Sequence, residues 1–178
     1  WNRLGNHLGT LDVGMEIDWK KAKFFFYRQS IYEDGSLYYG NNITDGLHGV
    51  AFTQKADQGI IKVVFEYLNT TSQGGSVFND SSVFRGLDNY FNNAVYRDGW
   101  TYNGMGLGTP MLTLDSETDL TNTEGTNYDN NRVESFYVGV EAKFGENAFM
   151  LRGSLSNSIG WFGQENIPVK KQYSVGLQ

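Results

Sequence analysis

The chain has 178 residues, no cysteine, two prolines and a formal charge of −6. That length suits one domain and is short for two. The missing cysteines exclude a disulfide framework, a thiolate nucleophile and Cys-ligated zinc. The acidic balance argues against a general nucleic-acid binder, which needs a Lys/Arg excess to neutralise phosphate.

No apolar run approaches the ~18 residues of a spanning helix, and long helix-forming windows are absent. Twenty-two glycines and an abundance of aromatics (12 Phe, 11 Tyr, 4 Trp) instead punctuate β-branched runs, which points to an all-β protein. In chain order, "LDVGMEIDW" places Leu11, Val13, Met15, Ile17 and Trp19 on one face and Asp12, Gly14, Glu16 and Asp18 on the other. "AKFFFYRQSI" reads as a strand with ambiguous faces, and "LHGVAFTQK" is a weaker strand. "IIKVVFEYL" sets Ile61, Val63, Phe65 and Tyr67 against Lys62, Val64, Glu66 and Leu68. "SFYVGVEAKF" sets Phe136, Val138, Val140, Ala142 and Phe144 against Ser135, Tyr137, Gly139, Glu141 and Lys143. "AFMLRGSLS" opposes Phe149, Leu151 and Leu155 to Met150, Arg152, Ser154 and Ser156; "QYSVGLQ" opposes Tyr173, Val175 and Leu177 to Gln172, Ser174, Gly176 and Gln178. Period two predicts strands with one apolar and one polar face.

The connections fall into two classes. "KK" after Trp19, "ADQG" after Lys55 and "GEN" after Phe144 predict tight turns. The opposite ends carry "YEDGSLYYGNNITDG", a long excursion over residues 69–130, and "NSIGWFGQENIP". Loops sorted by length are characteristic of outer-membrane β-barrels. Trp19, Phe24, Phe144 and Phe149 lie beside the short turns, and Tyr32 and Tyr67 near the long loops, where two interfacial girdles belong. A soluble β-sandwich also alternates, but requires neither feature.

With the short turns periplasmic, the strands run down, up, down, up, then down, up, down after the excursion. Seven is odd, whereas single-chain bacterial barrels close with an even number. The expectation is a single β-barrel segment over 1–178, the C-terminal part of a larger barrel with at least one strand before it, and an extracellular or lumenal excursion over 69–130.

Four blocks carry a resemblance: "WNRLGNHLG", "YRQSIYEDGS", "NNITDGLHG" and "DNYFNNAVYRDGWTYNGMGLGTPM". Together, in this order, they resemble the capsule assembly Wzi family in its Bacteroidetes-type form, from Arg3 to about Leu112. The resemblance implies an antiparallel transmembrane barrel of about 18 strands in a Gram-negative outer membrane. It also implies a lectin-like role in holding capsular polysaccharide at the cell surface. The partners expected are outer-membrane lipid, a surface polysaccharide and an outer-membrane protein complex, with no nucleic acid. An accessory subunit of a transport or secretion machine and a diffusion porin are the alternatives.

For chemistry, the two histidines, His7 and His48, are far apart, and "TDGLHG" holds Asp45 near His48 without a nucleophile motif. No enzyme and no cofactor are expected. Asp115, Glu117, Asp119, Glu124 and Asp129 offer oxygen donors for calcium, but without EF-hand spacing they read as a solvated loop and no metal is expected. Asn42, Asn69 and Asn79 head glycosylation sequons that matter only in a eukaryotic secretory chain. "GMGLG" lacks the lysine and helix of a phosphate loop. Aromatic faces stack on sugars and planar polar groups bind hydroxyls. The segment containing Asp88 and Asn89 supplies Tyr90, Tyr96, Arg97, Asp98, Trp100 and Tyr102 as candidate glycan ligands. The competing reading is a loop folded inward to narrow the lumen, braced by Arg97–Asp98 pairing.

Overall fold

The alternation along the chain becomes a sheet in the computed structural model, which describes residues 7–33, 35–78, 86–117 and 127–178. In chain order the strands are β1 (Leu8–Trp19), β2 (Ala22–Glu33), β3 (Gly46–Gln54), β4 (Gly59–Asn69), β5 (Thr101–Tyr102), β6 (Met105–Gly106), β7 (Thr113–Leu114), β8 (Tyr128–Asn130), β9 (Arg132–Phe144), β10 (Asn147–Trp161) and β11 (Gln164–Leu177). A single helical turn, α1 (Ser36–Tyr39), lies between β2 and β3. The long strands pair antiparallel in the order β1-β2-β3-β4-β9-β10-β11, and β5-β6 and β7-β8 form two small ribbons inside the excursion. β1 and β11 are both edges, so these seven strands form an open sheet.

Register keeps the two faces separate across the whole sheet. One row runs Met15–Phe26–Val50–Phe65–Val138–Gly153–Val175, and the adjacent row on the other face runs Gly14–Tyr27–Gly49–Glu66–Tyr137–Ser154–Ser174. The apolar face is uncovered: Val13 is 65 % exposed, Phe65 49 % and Val138 44 %. A soluble sandwich buries such a face against a second sheet, because leaving it in water costs about 25 cal/mol per Å². A barrel wall turns it to lipid. On β9 the apolar positions from Phe136 to Phe144 cover about 26 Å of strand, or about 20 Å across a bilayer at a tilt of ~40°.

Polar side chains on the opposite face pair laterally. Lys23 Nζ lies 2.9 Å from Glu16 Oε1, Lys55 Nζ 2.7 Å from Asp18 Oδ1, and Gln29 Nε2 donates to Asp12 Oδ1 at 2.7 Å. Tyr27 donates its hydroxyl to Glu66, and its ring lies flat across Gly49, where any Cβ would enter the ring. Glycine is needed at such close approaches.

β1–β2 turns over Lys20–Lys21, β9–β10 over Gly145–Glu146 and β3–β4 over residues 55–58, all at one end. Gly145, at φ +64°, takes the left-handed conformation that a two-residue loop needs. Beside these turns, Trp19, Phe24, Phe52, Phe144 and Phe149 share the apolar face by register.

Two local expectations change. "NSIGWFGQENIP" is not a long loop: β10 continues to Trp161 and β11 starts at Gln164, leaving only Phe162–Gly163 as the turn. Gly163 supplies φ +104° there. The register irregularity between Ser158 and Gly160 accommodates Pro168, which has no N–H to give to a ladder. The weaker strand "LHGVAFTQK" forms β3 as expected and pairs on both sides. A bulge between Ile60 and Lys62 sets Ile60, rather than Ile61, opposite Ala142.

The buried core sits at the long-loop end. Leu8, Ile31 and Val133 belong by register to the polar face, and they pack with Tyr90, Phe91, Leu112, Leu114 and Tyr128 of the excursion. The excursion therefore folds onto the polar side of the sheet.

Candidate functional site

Asp45, in the loop immediately before β3, is fully buried and organises the base of the excursion. Its carboxylate accepts from Ser72 N at 3.0 Å, Gln73 N at 2.7 Å and the Tyr90 hydroxyl at 3.0 Å. Burial raises its pKa above the ordinary value, opposed by those three hydrogen bonds and by the Arg132 charge. The Tyr90 phenol is pushed far above its ordinary value by burial and then by the adjacent Asp45 charge.

Asparagine side chains serve as backbone substitutes around this anchor. Asn92 Nδ2 donates to Tyr128 O and its Oδ1 accepts from Tyr128 N, both at 3.0 Å, so one amide replaces a strand neighbour. Asn131 Nδ2 donates to Tyr90 O at 2.8 Å and also to Asn89 Oδ1. Asn42 Nδ2 reaches Asp88 Oδ2 at 2.7 Å, tying the β2–β3 loop to the excursion. Backbone buried in an irregular segment needs such partners, because it has no ladder of its own.

Above this base the chain forms an exposed tip. Asn93 Oδ1 accepts from Val95 N at 2.9 Å and Tyr96 N at 2.8 Å, closing a local turn. Asp98 acts through its backbone: its carbonyl accepts from Thr101 Oγ1 at 2.8 Å and Asn127 Nδ2 at 2.9 Å. Gly99, at φ +53°, passes so close to Phe91 O that a Cβ would collide with it. Asn103 (φ +50°) and Gly104 (φ +76°) make the type I′ turn between β5 and β6. The "NG" pair was the signal that could have revealed this hairpin, which the sequence reading missed.

The six candidate glycan ligands divide into two sets. Tyr90 is fully enclosed and Trp100 is half-buried against the core, with Trp100 O accepting from Tyr128 OH at 2.7 Å. Tyr96 is 49 % exposed, Tyr102 71 % exposed, and Arg97 and Asp98 lie exposed on the same tip. Among the described residues no ion pair joins Arg97 to Asp98; the turn is braced by the Asp98 carbonyl instead.

Elsewhere, His48 lies on the apolar face by register, whereas Asp45 is engaged by Ser72, Gln73 and Tyr90. Asp115 and Glu117 sit in a short 3-10 turn and Asp129 is buried; Asp119, Glu124, Asn79 and residues 1–6 lie outside the described residues. Among the described residues no three His, Asp or Glu side chains converge on a metal-sized site. Asn42 and Asn69 use their amide nitrogens internally, on Ser36, Asp88 and Thr44.

A sheet apolar on one face and polar on the other, with a long excursion packed on the polar side at one mouth, defines an outer-membrane β-barrel wall. The profile of the family described as "Capsule assembly protein Wzi" matches residues 2–118, and the chain belongs to that family of outer-membrane barrels. Searches of curated proteins and of solved structures return no match. Family membership assigns the chain to capsule assembly, a polysaccharide-associated role at the outer membrane.

Proposed function

We propose that the chain binds capsular polysaccharide and anchors it at the mouth of the barrel without turning it over, using the tip of the excursion. The observation that carries this reading is a division of labour within one segment. Asp45, Tyr90, Asn92 and Asn131 fix the base, while Tyr96, Arg97, Asp98 and Tyr102 remain exposed at the tip. A pre-organised aromatic and polar tip spends little entropy on binding, and tyrosine faces stack on sugar C–H surfaces while guanidinium and carboxylate groups meet hydroxyls. Trp100 and Tyr90 hold the tip from beneath. On this reading the excursion is the extracellular, lumen-facing element.

The absence of turnover is part of the proposal. Asp45 spends its carboxylate on the anchor, and His48 points to the opposite side of the sheet, so these neighbours in sequence do not form an acid–base pair. A diffusion porin is disfavoured by the excursion's packing on the polar face at the mouth. Calorimetry with purified capsular polysaccharide, together with capsule retention by a deletion strain complemented with Arg97→Ala/Tyr102→Ala, tests the reading. A loss of both binding and retention with the barrel intact is expected; unchanged binding by the double variant would sink it.

A further inference from the structure

The apolar wall is not uniform. Across β1–β4 it holds a groove of about 430 Å³, formed by Val13, Met15, Phe26, Val50 and Phe65, with Arg28 at its long-loop end. Register explains the shape. The row Met15–Phe26–Val50–Phe65 is wholly apolar, and the next row toward the long loops, Val13–Arg28–His48–Tyr67, introduces a cation.

Arg28 has two neutral partners: its Nε donates to Ser30 Oγ at 3.1 Å and its Nη2 to Ile43 O. A guanidinium carries five N–H donors, so three remain. Among the described residues no carboxylate pairs with it. Glu134, an acid on the same wall, is taken by the Tyr67 hydroxyl at 2.8 Å and Asn157 Nδ2 at 3.2 Å. A charge held against a membrane-facing surface is costly unless it finds an anion. Its height is suited to one, because on β4, β9, β10 and β11 the apolar positions end along this same level: Asn69, Glu134, Asn157 and Lys171 follow one row above Tyr67, Phe136, Leu155 and Tyr173.

We infer that this groove is a specific site for one phosphate-bearing membrane lipid, its acyl chain lying over Phe26, Val50 and Phe65 and its phosphate on the free N–H groups of Arg28. The charge complementarity commits the occupant. A purely apolar chain would leave the guanidinium unpaired, and a free phosphate would leave the groove unfilled, whereas a lipid phosphate satisfies both through a fork-shaped donor set. The lipid would stiffen the wall where β2 and β3 meet the loop that carries Asp45, linking the bilayer to the base of the excursion.

Native mass spectrometry of the full-length protein in mild detergent tests this, using phosphatidic acid, diacylglycerol and inorganic phosphate as probes. One retained phosphatidic acid is expected for the wild type, with weaker retention by Arg28→Lys, which keeps the charge without the planar fork. Arg28→Gln should bind about tenfold more weakly, the cost of one charge-assisted hydrogen bond. Val50→Trp, which fills the groove and leaves Arg28 in place, should also lose the lipid. Retained heat-dependent gel mobility would show that each variant is folded, and Val50→Trp decides the matter if Arg28→Gln is not. Retention at the wild-type level by Arg28→Gln or by Val50→Trp, diacylglycerol bound as well as phosphatidic acid, or displacement of the lipid by inorganic phosphate would each overturn the inference.

Discussion

Replacing Asp45 by alanine removes a buried acceptor from three donors at once: Ser72 N, Gln73 N and the Tyr90 hydroxyl. Gln73 and Tyr90 are fully buried, so neither donor regains water; Ser72 is only half-buried. An unsatisfied buried donor costs about 1–3 kcal/mol. Two of them, less the relief of no longer burying a carboxylate, give about 2–4 kcal/mol. The loss falls on the excursion rather than on the strand ladders, because the three donors lie in residues 72–90. Hydrogen exchange should therefore show about a hundredfold rise in local opening over residues 86–117, with β9 and β10 unchanged. The dependence on pH follows from the raised carboxyl. In the unfolded chain it titrates near 3.8, and burial lifts it in the fold. Protection, corrected for intrinsic exchange, is fullest below that unfolded value and declines as pH rises through the folded one. Asp45→Asn keeps one acceptor oxygen and should abolish that dependence. Unchanged exchange in Asp45→Ala, or equal loosening of the strands, would refute the assignment of Asp45 as the excursion's anchor.

Other substitutions separate the wall from the tip. Val138→Arg, on the apolar face, should destabilise folding into vesicles by about 2–4 kcal/mol, whereas Ser154→Arg, on the polar face, should change urea midpoints little; equal effects would contradict the register. Gly99→Ala combines positive φ with collision against Phe91 O, while Gly104→Ala has positive φ and open space. The first should cost about 2–3 kcal/mol and the second about 1, measured as protease resistance of the excursion, and the reverse order would count against the tip geometry. The Tyr90 phenol should stay protonated through an ultraviolet titration of the folded protein to pH 12, and its early ionisation would show that it is not enclosed.

The wall was legible in the order of residues alone. Period-two alternation such as Leu11 to Trp19 is local, because each strand residue's face is fixed by its neighbours' parity, and "KK" and "GEN" marked the turns for the same reason. The family was legible too, in blocks that fall inside the matched region. The division of the excursion into base and tip was not legible. Tyr90 and Tyr102 look alike in sequence, yet one is fully buried against an aspartate 45 residues away and the other is 71 % exposed. Such contacts depend on which distant loop arrives at the same mouth, which no local pattern encodes. The tertiary structure also decided that Arg28, ambiguous within "AKFFFYRQSI", stands on the lipid side. A strand with aromatics on both faces carries no parity signal of its own, and its facing is set by pairing with β1 and β3.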